Sequence, residues 1–180
     1  MKVLILDRDG VINYDSDDYI KSAEEWKPID GSLEAIATAN KKGWTVVVAT
    51  NQSGIGRGYY GEAVLEAMHA KMHGLLADHG GKVEHIAYCP HLPTDSCECR
   101  KPKPGLLIQL RNQLGLDKWP DDCWMVGDSL TDLQVGLSQS LPVALVRTGK
   151  GERTLNKLDM LDADVAVFDD LKSFVESVIH

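Results

Sequence analysis

The chain has 180 residues, 43% of them hydrophobic and 26% charged, with a net charge of −8. That is enough apolar material for one packed domain, expected to span residues 1–180, and too much for a disordered chain. The acidic balance gives no electrostatic reason to expect nucleic acid or an anionic membrane as a partner. It also means that any anionic substrate must be met by a metal or by a few placed cations.

Residues 2–7, Lys-Val-Leu-Ile-Leu-Asp, read as a short buried strand. The apolar run stops at Asp7 after four residues, so no signal peptide and no membrane span are expected, and the chain is read as cytoplasmic. Helical spacing over 33–42 is followed by the β-branched run 44–49, then by a long helix over about 62–79 with Val64, Leu65, Met68, Met72, Leu75 and Leu76 on one face. Residues 85–88 read as a third strand and 104–114 as a helix with Pro104 in its first turn. The rest reads as strand 123–126, helix 129–138, strands 143–146 and 165–168, and helix 171–179. Such alternation predicts an α/β fold, a Rossmann-like parallel sheet with helices on both faces. Ligands of such sheets sit beyond the carboxyl ends of the strands, so Asp7, Thr50 and Asp128 become candidate functional residues.

Asp7 and Asp9 are two residues apart where the first strand ends, so their side chains point the same way. Paired carboxylates there suit Mg2+. They also suit a division of labour, with Asp7 attacking phosphorus and Asp9 acting as acid and then base. Solvated strand-end aspartates would be the bland alternative, and an isolated pair would favour it. Thr50, Asn51, Gln52 and Ser53 close the second strand with donors for phosphate oxygens, or else form an ordinary turn. Gly127-Asp128-Ser129-Leu130-Thr131-Asp132 closes the fourth; Asp128 and Asp132 could complete a Mg2+ shell, while Asp132 also suits a helix cap. Arg100-Lys101-Pro102-Lys103 precedes a helix and offers cations to a phosphoryl group, or is a solvated basic turn.

The combination Asp7-Arg8-Asp9-Gly10, Thr50-Asn51, Lys101-Pro102 and Gly127-Asp128-x-x-x-Asp132 resembles the four motifs of the haloacid dehalogenase superfamily of phosphatases, in the family's order. The resemblance implies a phospho-aspartate on Asp7, acid/base work by Asp9, Thr50 and Lys101 on the phosphoryl oxygens, and Mg2+ held by Asp7, Asp9 and Asp128. Lys103 is the alternative to Lys101.

Cys89-Pro90-His91 and Cys97-Glu98-Cys99 supply three thiols and an imidazole, a set that closes a structural Zn2+ site. Free reduced cysteines are the alternative. Cys123 reads as core, and His69 and His73 as surface or boundary residues. With NQSGIGRG at 51–58 and CRKPKPG at 99–105, the zinc loop makes the chain similar to the histidinol-phosphate-phosphatase-like subfamily, and within it to phosphatases of heptose 1,7-bisphosphate. This likeness implies removal of the C7 phosphate during synthesis of nucleotide-activated heptose for lipopolysaccharide, by a small enzyme without a large cap domain. Arg100 is then expected on the second phosphate, with Arg57 a weaker candidate and Asp15 facing sugar hydroxyls. A monomer binding a small phosphorylated sugar is the expected state. The short interval from His91 to Cys97 keeps histidinol phosphate as an alternative substrate. A non-catalytic phosphosugar-binding protein and a phosphorylated signalling receiver are rivals from other classes; the Asp7/Asp9 pair argues against both.

Overall fold

The computed structural model describes residues 1–180. Six parallel strands, β1 (Lys2–Leu6), β2 (Trp44–Asn51), β3 (His85–Cys89), β4 (Cys123–Gly127), β5 (Val143–Val146) and β6 (Ala166–Phe168), form one sheet in the order β3-β2-β1-β4-β5-β6. The order reverses between β1 and β4, which opens a crevice at their carboxyl ends. Leu6 pairs in register with Val48 on one side and Val126 on the other, so the residues just past all three strands lie side by side.

The strands are apolar on both faces because both faces are covered. Leu4, Leu6, Val46, Val48 and Val126 enter a core beneath α1 (Ser32–Lys41), α3 (Glu62–Asp78) and α7 (Leu171–Val178). Their alternate neighbours Val3, Ile5, Val47, Ala49, Cys123 and Met125 enter a second core beneath α4 (Gly105–Gln113) and α5 (Leu130–Ser138). Cys123 is fully buried, and burial pushes its thiol up to about 12. Two short helices, α2 (Ser53–Gly56) and α6 (Gly151–Leu155), and a 3-10 turn at Leu158–Met160 were not foreseen. Segments of three to five residues are too short to show helical periodicity.

No helix is long and apolar enough to cross a membrane, and no cap domain interrupts the element order. The connection from β1 to α1 is instead pinned down from inside. Ile12 and Trp26 are fully buried in the first core, and Lys71 on α3 donates from Nζ to the carbonyls of Ala23 (2.8 Å) and Trp26 (2.6 Å).

Candidate active site

A cleft of about 370 Å3 opens at the carboxyl ends of β1, β2 and β4, and its lining is mostly polar. Asp7, Asp9, Asn51, Gln52, Ser53, Lys101, Asp128 and Asp132 reach it from strand ends and adjoining turns, with Asp15, Arg57, Arg100 and Lys150 contributed by surrounding loops.

At its centre Lys101 is buried and donates to Asp7 Oδ1 (2.9 Å), Asp132 Oδ1 (2.6 Å) and the carbonyl of Ala49 (2.7 Å). Burial alone would lower its pKa; Asp132 and Asp7 more than reverse this and raise it, so it stays a cation. Lys103 turns away instead, to the carbonyl of Cys97 at 2.7 Å and towards Glu98. The Asn51 amide clasps the main chain of Lys101, accepting from its N–H (3.0 Å) and donating to its carbonyl (3.2 Å).

Carboxylate oxygens of Asp7, Asp128 and Asp132 lie within 4.8 Å of one another. Burial, then the Asp132 carboxylate, push Asp7 up to about 7 against the pull of Lys101. Burial and the charges of Asp7 and Asp132 raise Asp128 as well. One lysine among three buried carboxylates leaves negative charge uncompensated, which is the environment a divalent cation with oxygen ligands fits. The third side chain of this cluster is Asp132, which the sequence offered as completing the shell; Asp9, also expected as a ligand, is not among the three. Asp132 doubles as the cap of α5, its Oδ2 accepting from the Ser129 N–H (3.1 Å) and hydroxyl (2.8 Å) and from the Asp128 N–H (3.2 Å). Gly127 lets it fold back so closely, since a Cβ there would collide with the Asp132 side chain. Gly10, at φ +84°, plays the same part for Asp128.

Asp9 sits apart. Its Oδ1 accepts from Arg8 Nε (3.1 Å), Arg8 Nη2 (2.9 Å) and Asn13 (2.9 Å), and its Oδ2 from Gln52 Nε2 (2.9 Å). Burial alone would raise its pKa; the Arg8 guanidinium, helped by bonds from Asn13 and Gln52, reverses this and holds it below the usual carboxylate range. Gln52 spends its second donor on Thr50 Oγ1 (2.8 Å), and its carbonyl accepts from the Tyr60 hydroxyl (2.6 Å). Both amide donors of Gln52 are thus engaged within the protein, while the residue still lines the cleft. Thr50 is buried where β2 ends, its hydroxyl accepting from Gln52 at the edge of the cleft-lining residues. Arg8, Asn13 and Tyr60 escaped the sequence reading, because they act by bonding Asp9 or Gln52 across irregular turns that no periodicity marks. Lys150 had no signal at all; its N–H reaches Asp128 Oδ2 at 2.8 Å only because the loop after β5 folds over β4.

Beside the cleft, Cys89, His91, Cys97 and Cys99 bring their ligand atoms within 4.8 Å of one another. Ligands bound tetrahedrally to one Zn2+ stand roughly 3.4–3.8 Å apart. Cys89 Sγ lies 3.4 Å from His91 Nδ1 and 3.8 Å from Cys97 Sγ, and Cys99 Sγ lies 3.2 Å from His91 Nδ1 and 3.0 Å from Cys89 Sγ. These separations are far too long for disulfides, and a small contraction or expansion fits them to the ion. Arg100 and Lys101 follow Cys99 directly, so the cluster sets where both enter the cleft.

A doubly wound sheet with acids and a buried lysine gathered at its switch point defines a phosphohydrolase of the haloacid dehalogenase type. The HAD-hydrolase-like family model matches residues 98–174. Over 99% of this chain and 100% of its own length, the D-glycero-β-D-manno-heptose-1,7-bisphosphate 7-phosphatase of Pseudomonas putida is 56% identical. The enzyme of the same name from Escherichia coli K12 is 41% identical over 82% of this chain and 80% of its own. The crystal structure of the D,D-heptose 1,7-bisphosphate phosphatase of Bordetella bronchiseptica, complexed with magnesium and phosphate, superposes with a TM-score of 0.93 at 46% identity, covering 99% of this chain and 98% of that one. The chain belongs to the heptose-1,7-bisphosphate 7-phosphatase family of the haloacid dehalogenase superfamily.

Proposed function

We infer that the protein hydrolyses the C7 phosphate of D-glycero-β-D-manno-heptose 1,7-bisphosphate, supplying nucleotide-activated heptose for lipopolysaccharide in the cytoplasm. The observation that carries this reading is the convergence of Asp7, Lys101, Asp128 and Asp132 at one point, in a chain 56% identical to a phosphatase of that substrate. The β anomer is taken from that relative's name.

Asp7 attacks phosphorus and carries the phosphoryl group as an acyl phosphate. Lys101 and the Thr50 hydroxyl, whose own proton is left free where it accepts from Gln52, donate to the phosphoryl oxygens. Asp9, which Arg8 keeps ionised in the free chain, takes up a proton with the anionic substrate, gives it to the departing C7 oxygen and regains one from the water that cleaves the phospho-aspartate. Asp7 and Asp128, with Asp132 beside them, would hold Mg2+, which supplies charge neutralisation between carboxylate and phosphate. Asp9 keeps its carboxylate for the proton. Zn2+ in the Cys89, His91, Cys97 and Cys99 set is structural, since four protein ligands leave no position for water.

Arg100 and Arg57 both line the cleft and are assigned to the second phosphate, Arg57 lying over the Tyr19 ring at 5.5 Å to its centroid. Asp15 and Ser53 line the same cleft and are assigned to sugar hydroxyls. The protein is assigned as a monomer. Phosphate release from heptose 1,7-bisphosphate and from histidinol phosphate, measured in parallel with Mg2+, tests the reading. Higher kcat/KM on the bisphosphate supports it; preference for histidinol phosphate overturns the substrate and leaves the Asp7 chemistry standing.

A further inference from the structure

Arg8, the residue between the two aspartates, is fully buried. A buried guanidinium is tolerated only where its donors find acceptors. Nε and Nη2 go to Asp9 Oδ1. On its other side Nη1 meets His69 Nε2 at 3.1 Å and the Met68 sulfur at 3.6 Å, both on α3. Arginine has no lone pair to offer, so His69 Nε2 must be the acceptor, and the ring is neutral with its proton on Nδ1. Burial first, then the charges of Arg8 and His73, lower the His69 pKa to about 3, which keeps that acceptor in place. A helix with no residue at the reacting atoms therefore determines where the Arg8 fork points, and the fork determines how Asp9 is turned.

We propose that His69, acting through Arg8, is a positioning residue that holds Asp9 in the orientation from which it protonates the leaving oxygen. The proposal rests on the acid/base role given to Asp9 above. In the absence of His69, Arg8 Nη1 keeps only a thioether, a weak acceptor, and the guanidinium turns towards other oxygens. Asp9 then loses the two donors that fix its Oδ1 on one side and keeps only Asn13 and Gln52. α3 also holds the segment after the strand through Lys71, which donates to the carbonyls of Ala23 and Trp26.

The test compares two phosphate esters. Heptose 1,7-bisphosphate releases an alkoxide that needs a proton, whereas 4-nitrophenyl phosphate releases a stable phenolate that does not. The ratio of the two kcat/KM values, taken with Mg2+ on one preparation, cancels any fraction of chain that has failed to fold. In His69→Ala the ratio falls about tenfold or more, within the range that general acid catalysis commands. In His69→Gln, whose side-chain carbonyl accepts from Arg8 in the same place, it returns to within about threefold of wild type. A ratio unchanged in His69→Ala, whether both rates fall or neither does, overturns the proposal, as does a glutamine variant no better than alanine. Asp9→Asn in the same assays separates the two readings: an unchanged ratio there removes Asp9 as the acid, irrespective of His69. If the wild type does not cleave the bisphosphate, the substrate reading fails alone, and another unactivated alkyl phosphate takes its place in the ratio.

Discussion

Asp132 accepts from the Lys101 ammonium at 2.6 Å, closer than the bond from the same ammonium to Asp7. The residue that caps α5 is thus also the one that aims the lysine at the nucleophile. Its two oxygens are used differently, with Oδ1 holding Lys101 and Oδ2 holding the turn that carries Asp128.

Asp132→Asn separates these two roles. The amide oxygen still serves the turn, but the charge facing Lys101 is gone. We expect kcat/KM to fall about 100-fold, comparable to losing one positioned charge-stabilising donor. Stability should fall by less than the ~3–5 kcal/mol typical of a broken buried pair, because Lys101 retains Asp7. Steady-state kinetics and urea unfolding on one preparation check both numbers.

Asp7 governs how stability depends on pH. Its folded pKa of about 7 lies above the ordinary 3.8, so the folded chain binds the proton more tightly than the unfolded one. In Mg2+-free protein this group's contribution is therefore full below pH 4 and is lost as pH rises towards 7. Added Mg2+ should raise the Tm more at pH 8 than at pH 5. Asp7→Asn should abolish turnover, keep the fold and flatten this pH dependence. Thermal melts across pH 4–8, with and without Mg2+, decide it; an undiminished slope in the variant would assign the effect to other groups.

Removal of zinc should loosen the 89–104 loop before it alters the chemical step. With Mg2+ restored after treatment with a thiol-competitive chelator, we expect a lower Tm and a higher KM, with kcat on 4-nitrophenyl phosphate retained to within about tenfold. Metal analysis should find one zinc per chain, lost in Cys99→Ser. A catalytic zinc would instead take kcat with it. The loop's proximity to Arg100 gives the KM effect its cause, since the guanidinium lies 3.4 Å from the His91 carbonyl.

Much of this was legible in the chain itself. Apolar runs ending in Asp7, Asn51 and Gly127 announce buried parallel strands, because only a sheet covered on both faces accepts apolar residues at every position. The placement of Asp7 and Asp128 just past apolar strands was legible from those runs. Similarly, Cys89, His91, Cys97 and Cys99 are close enough in sequence for their chemistry to show before any folding. What only the tertiary structure decided is which donors are already taken. The sequence does not show that Asp9, Thr50 and Tyr60 each engage the Gln52 amide. Lys101 and Lys103 stand two residues apart with the same charge, and only the packing of the zinc loop on β2 sends the first inward and the second out. Arg8 and His69 are 61 residues apart. Local sequence carries backbone preference and periodicity, whereas the pairing of buried polar groups is settled by whichever acceptors the folded chain brings within about 3 Å.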